Sequence, residues 1–430
     1  MKREGSFFSF FQGNIRVLVA GRALWTLGSS IPGPYYTLYM LALGASPVEV
    51  GLVNSIAIIG GMTIEPIGGY LADRIGRVRL VGLATFGYAV CYLLFANAPD
   101  WRFLAMGQIL QQILYFYSPG LNAIMSDSLS PGTRGRGYAL ERTFPLVLSF
   151  VAPYIGGLLI NFYGEGDQGL IAAMRQCYWI AFALGIAVAF IRLRFLKETL
   201  TVEAPVMHLT DLPKIIKDSY GGILETVRWL PRQFRPVVVL QILQTTFIAM
   251  AAPFWILYAT EVLGIRASDW GTAMLFSGLT GMLLIMPVGY MVDRFGSRKV
   301  ILVSMTLAPV AVTLFLKATG FWSLATVLVV LAMSNSMVTP SWASLIADMV
   351  TRERRGRINA LIGENGIATS TQRLQGGGIL LVVPASFGAS IGGFLVEWNI
   401  YTPFLILLFA LVGCLLFTLR FIHPPKEAEL

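Results

Sequence analysis

Long apolar runs, each closed by a charged cluster or a Gly/Pro turn, recur along the whole chain and predict twelve helices. The first six cover about residues 15–43, 48–72, 80–98, 101–126, 143–162 and 170–191. The last six cover about 236–263, 270–292, 300–319, 321–347, 376–397 and 402–422. Roughly 20 apolar residues cross a bilayer core, so the pattern predicts an all-α membrane protein with twelve transmembrane helices. The longest polar interruption, from about Arg192 to Arg235, divides the runs into two sets of six. The expected organisation is a bundle over 1–196, a cytoplasmic linker over 197–232 and a second bundle over 233–430. Leu212, Ile215, Ile216, Ile223 and Trp229 recur at loose helical spacing in the linker, as a helix along the membrane face would require, although a plain tether is the simpler reading.

Composition agrees. The chain is 56% hydrophobic and 13% charged, against roughly 25% charged in soluble domains, which excludes an ordinary soluble enzyme. A net charge of +9 raises nucleic acid as a partner, but the basic residues lie between apolar runs and not on a soluble face. Their distribution orients the chain instead. Of 32 Lys and Arg, Arg102, Arg175, Arg266 and Lys317 fall at one set of span ends, Arg22 falls inside the first span, and the other 27 fall on the opposite side. That asymmetry places both termini in the cytoplasm of a multi-pass cell-membrane protein. Cys91, Cys177 and Cys414 each sit within an apolar run without disulfide or zinc spacing, and His208 and His423 lie in polar segments, so no metal or cofactor is expected. Residues 1–14 lack a signal-peptide h-region and are expected to be retained.

The halves repeat each other at an offset of 219 to 221 residues. Pro34, Tyr35, Tyr36, Leu38 and Tyr39 correspond to Pro253, Phe254, Trp255, Leu257 and Tyr258, and Gly51 corresponds to Gly271. Gly69, Tyr70, Asp73, Arg74 and Gly76 recur as Gly289, Tyr290, Asp293, Arg294 and Gly296, and Asp127 recurs as Asp348. Farther on, Ile155, Gly156 and Gly157 match Ile391, Gly392 and Gly393 at an offset of 236, so about fifteen extra residues precede the eleventh span, within Asn359 to Gln375.

The loop carrying Gly69, Asp73, Arg74, Gly76, Arg77 and Arg79, with its copy at Gly289, Asp293, Arg294, Gly296, Arg298 and Lys299, resembles the signature of the major facilitator superfamily, and the resemblance covers essentially the whole chain. It implies two pseudo-symmetric six-helix bundles that rock about a midplane substrate site. Locally, Asp73 at a helix end suits the positive N-terminus of a neighbouring helix, and Arg74 or Arg77 can reach Asp127. Asp293, Arg298 and Asp348 are expected to repeat this latch, which would favour an outward-open state.

The resemblance also implies that the first, fourth, seventh and tenth spans line the cavity. They carry Arg22, Trp25 and Tyr36; Gln108, Gln111, Gln112 and Tyr115; Gln241 and Gln244; and Asn335. Amides and hydroxyls in hydrocarbon face a wet cavity or a neighbouring helix, and the pattern leaves both open. Arg22 and Glu65 are the two ionisable residues that stand out away from the ends of the predicted spans, each roughly 9–12 Å inside the cytoplasmic boundary at 1.5 Å per residue. They form either a structural ion pair or a site where Glu65 takes up the coupling proton and Arg22 holds an anionic substrate. The fourth span lacks the arginine common in proton-coupled relatives, and Ala152 to Gly157 match the antiporter Gly/Pro motif only in part. The expected function is a monomeric secondary transporter, a proton-coupled drug or metabolite exporter, with proton-linked uptake of a sugar or organic anion, or a non-transporting receptor, as alternatives. No nucleophile, paired acids, metal ligands or Walker loop supports an enzyme or direct ATP drive.

Overall fold

The computed structural model describes residues 11–130, 134–164, 166–200, 221, 225, 227–351, 354–363, 368–369 and 378–422, apart from the side chains of 62, 65, 66, 359 and 360. The polar linker positions Leu212, Ile215, Ile216 and Ile223 lie outside these. The first half contains α1 (Asn14–Ser30), α2 (Tyr36–Ala42), α3 (Pro47–Ile75), α4 (Arg77–Ala96), α5 (Trp101–Leu114), α6 (Ser118–Ser128), α7 (Arg134–Tyr163) and α8 (Asp167–Phe195). The second contains α9 (Arg235–Ala251), α10 (Trp255–Glu261), α11 (Ala267–Phe295), α12 (Ser297–Leu316), α13 (Phe321–Met349), α14 (Arg355–Ile362), α15 (Val382–Trp398) and α16 (Thr402–Phe421). Nine helices among the described residues are long and apolar enough to cross a membrane. The stretches 14–42, 47–75 and 101–128 complete a set consistent with twelve spans.

Prolines explain the divided spans. Pro32 and Pro34 lack amide hydrogens, so α1 gives way to a 3-10 turn at Gly33–Tyr35 before α2 begins, and Pro253 does the same at Ala252–Phe254 between α9 and α10. Entry into α3 is fixed by a capping box: the Glu49 amide donates to Ser46 Oγ at 3.3 Å and the Ser46 amide to Glu49 Oε2 at 2.7 Å, with Pro47 in the first turn. The duplicated turns hold Gly76 and Gly296 at φ 91° and 85°, which side chains rarely adopt.

The duplication extends into aromatic clusters. Tyr39 stacks near Tyr178 at 5.8 Å between ring centroids, with Phe95 at 4.9 Å from Tyr178. Tyr258, Phe315 and Phe404 repeat this trio at 4.7–5.3 Å. Offset and edge-on rings of this kind add to the packing of each bundle beyond the area they bury.

The halves meet along α3 with α15 and along α7 with α11. A Cβ on Gly51 would stand 2.7 Å from the Ala389 carbonyl oxygen, and one on Gly157 would stand 2.7 Å from that of Ser268. Small residues therefore let the backbones touch, as helix contacts in lipid commonly require. Both crossings lie at the end opposite Asp73 and Asp293. Bulky apolar side chains such as Phe162, Met286, Trp398 and Phe409 are more than 70% exposed. A soluble surface would not tolerate so many, whereas hydrocarbon does.

Candidate functional site

The 3-10 turns redistribute the predicted stripes. Gln108 and Gln112 lie on α5, which tightens into a 3-10 turn at Tyr115–Tyr117, and Tyr115 lines a different cavity from theirs. Two cavities result in the first half. The upper is lined by Tyr36, Gln108, Gln111 and Gln112, with Tyr88, Tyr92, Phe95 and Tyr178 around them. The lower is lined by Arg22, Trp25 and Tyr115, with Tyr117, Glu141 and Arg192. Trp25 stands in the wall between them, 4.8 Å from Tyr88 and 6.4 Å from Tyr117 by ring centroids.

The amides serve both roles that their sequence left open. Gln108 Nε2 donates to Asn54 Oδ1 at 2.9 Å, and Gln111 Nε2 donates to the Tyr88 carbonyl at 3.4 Å, so each ties α5 to a neighbour. Asn54 Nδ2 and Gln108 Oε1 remain buried without a protein partner. Of the pair only Gln108 lines the upper cavity, while Asn54 is fully buried behind it and holds its side chain in place. Asn54 carries no periodic signal of its own; its pairing across helices gives it this place.

Other predicted residues are dispersed. Gln244 and Asn335 share a separate small cavity in the second half with Ser304 and Ser334. Gln241 is 1% exposed and lines none of these cavities. Two residues from the extra stretch before the eleventh span reach the interior: Ala368 joins the main core, and Thr369 lines the upper cavity together with Pro253.

The carboxylate that meets Arg22 is Glu141, an ion pair between α1 and α7. The pairing of Arg22 with Glu65 considered from sequence falls on a side chain outside the described residues, Glu65 lying on α3. Sequence reading missed Glu141 because it began the fifth span at 143, whereas α7 begins at Arg134 and carries Glu141 and Arg142 into the bundle. The sixth span ended at 191 for the same reason, yet α8 continues to Phe195 and buries Arg192.

At the signature turn, Arg77 donates to Asp73 at 2.8 Å, forms an ion pair with Asp127 and reaches Thr199 at 3.2 Å. The Val78 amide donates to Glu198 at 3.0 Å. Arg74 instead lies over the Tyr70 ring at 4.4 Å, and Gly69 lets Pro119 approach. The contacts to Asp73, Asp127, Tyr70 and Pro119 stay within the first half, and those to Glu198 and Thr199 tie the turn to the start of the expected linker. The copy differs: Arg298 donates to the Leu419 carbonyl at 3.1 Å, and among the described residues it forms no ion pair with Asp293 or Asp348. Arg294 donates to Tyr290 at 3.2 Å, while Gly289 meets nothing close and Gly296 makes the turn.

The Major Facilitator Superfamily model matches residues 18–227 and 237–430. Multidrug resistance protein MdtG of Salmonella typhi is 25% identical over 359 residues, covering 80% of this chain and 83% of its own, and MdtG of Salmonella newport matches equally. Among solved structures, the nucleoside transporter NupG superimposes with a TM-score of 0.69 at 14% identity, covering 96% of this chain and 100% of its own. The human organic anion transporter MFSD10 gives 0.60 at 15% identity, covering 94% and 98%.

Proposed function

This chain belongs to the Major Facilitator Superfamily and is a multi-pass membrane transporter, not an enzyme; we propose that it exports a small organic solute from the cytoplasm in exchange for protons. The upper cavity carries this reading. Its floor and walls come from the first half, Pro253 and Thr369 come from the second, and rocking of one half against the other would open it to opposite sides. Drug resistance in the MdtG relatives supports the outward direction.

In this reading residues 1–196 and 233–430 form the two bundles, 197–232 tether them, and the monomer sits in the cell membrane with both termini cytoplasmic, as the basic residues favour. The crossings at Gly51 and Gly157 then lie on the outer side, so the conformation is closed outward. Asp73, Arg77 and Asp127 prime one latch within the first bundle, which meets the second when the inner side closes. Glu65 is the proton site. Arg22 already has Glu141 as a counterion, which removes the structural duty that would otherwise occupy Glu65.

The test is counterflow in proteoliposomes with a panel of fluorescent aromatic solutes. Uptake of label against preloaded cargo, stimulated by an opposing pH gradient, is the expected result. Absence of counterflow for the whole panel overturns the reading. Glu65→Gln should abolish the stimulation by the gradient, and a gradient effect that survives this change removes Glu65 from the coupling role.

A further inference from the structure

The lower cavity carries more positive charge than its own residues neutralise. Arg192 is only 2% exposed. Its Nη1 donates to Thr85 at 2.7 Å, and its guanidinium faces the rings of Trp25 and Tyr117 at 5.8 and 5.5 Å. Among the described residues no carboxylate lies within ion-pair distance, and its Nε has no partner. Ring faces and one hydroxyl relieve part of the cost of burying a cation, but a counter-anion relieves more. The nearest ionised neighbours in the cavity are Arg22 and Glu141, which pair with each other. Three charged side chains thus leave a formal excess of one positive charge in a low-dielectric space.

Geometry makes that charge available. The Arg22 side chain is 46% exposed and gives one Nη to Glu141, so the rest of its donor fork faces the cavity. Ser118 and Asn122 add neutral hydrogen-bonding groups to the same lining. The lining therefore presents charged and neutral donors to a small anionic head, and any attached ring has to extend beyond the space between the guanidinium groups.

We propose that Arg22 and Arg192 form a subsite for an organic monoanion, with Glu141 setting its charge so that one negative group brings the cavity to neutrality. The subsite rests on the transporter reading for its place in a cycle, because it would give the cargo an anionic head beside the aromatic box. Arg192 and Arg22 bind the head directly. Glu141 acts through Arg22 and through the local field.

The experiment compares naphthalene-2-carboxylate with its neutral isostere naphthalene-2-carboxamide, binding to the full chain in nanodiscs without any gradient. The carboxylate is expected to bind at least tenfold tighter than the amide. Arg192→Gln should erase that ratio, and Arg192→Lys should retain part of it if the glutamine variant does not assemble. Glu141→Gln should tighten the carboxylate alone, by at least threefold, which a merely structural ion pair would not do. A wild-type ratio near one, or a ratio unaffected by both Arg192 changes, overturns the proposal. Binding preference without counterflow would sink the transport reading and leave the subsite standing; counterflow without preference would do the reverse.

Discussion

Buried polar atoms carry most of the chemistry in this molecule, and few of them announce themselves. Gln108 lines the aromatic box with its amide braced by Asn54, and a hydrogen bond from such a group to cargo is worth about 0.5–1.5 kcal/mol. Gln108→Leu is therefore expected to raise the apparent KM for transport by roughly tenfold, with maximal rate little changed, in the counterflow assay. An equal fall in rate and affinity would place Gln108 in helix packing instead. The glutamines were legible as a polar stripe, because apolar neighbours made them stand out. Glu141 and Arg192 were not, because each lies next to charged residues in sequence, and only the lengths of α7 and α8 show that they turn inward.

Helices and their crossings set the next scale. Gly51 against Ala389 and Gly157 against Ser268 allow main chains to touch, with no space for a side chain. Gly51→Leu is expected to keep the bundles apart at this end while each bundle stays folded. Labelling of engineered surface cysteines at that end should then rise, and transport should fall at least tenfold; unchanged labelling would show that the crossing yields without opening. The spans themselves were readable, since continuous apolar runs under lipid leave little ambiguity. Their breaks at Pro32 to Pro34 and Pro253 were not, because the apolar runs 15–43 and 236–263 continue straight through these prolines. Which cavity Tyr36 and Tyr115 line depends on how neighbouring helices pack.

At the scale of the whole molecule, two copies of one plan share one task. Bridging cysteines placed at exposed positions on either side of the Gly51–Ala389 crossing with a cleavable bifunctional reagent, in a background lacking Cys91, Cys177 and Cys414, should halt transport and release it on cleavage. Transport that continues with the bridge formed would show that this end does not open during the cycle. The internal repeat made the two-bundle plan legible from Gly69 to Gly76 and Gly289 to Gly296, but it also predicted symmetry where there is none. Arg77 joins two aspartates, while Arg298 holds a carbonyl. The cavities diverge in the same way: Arg22, Glu141 and Arg192 line the first half, and only neutral groups line that of the second. Duplication has thus left unequal twins. One has become the specialist whose letters are read by the passenger, and the other is free to drift, so a saturation map of the gene should scar deeply on one side and heal on the other.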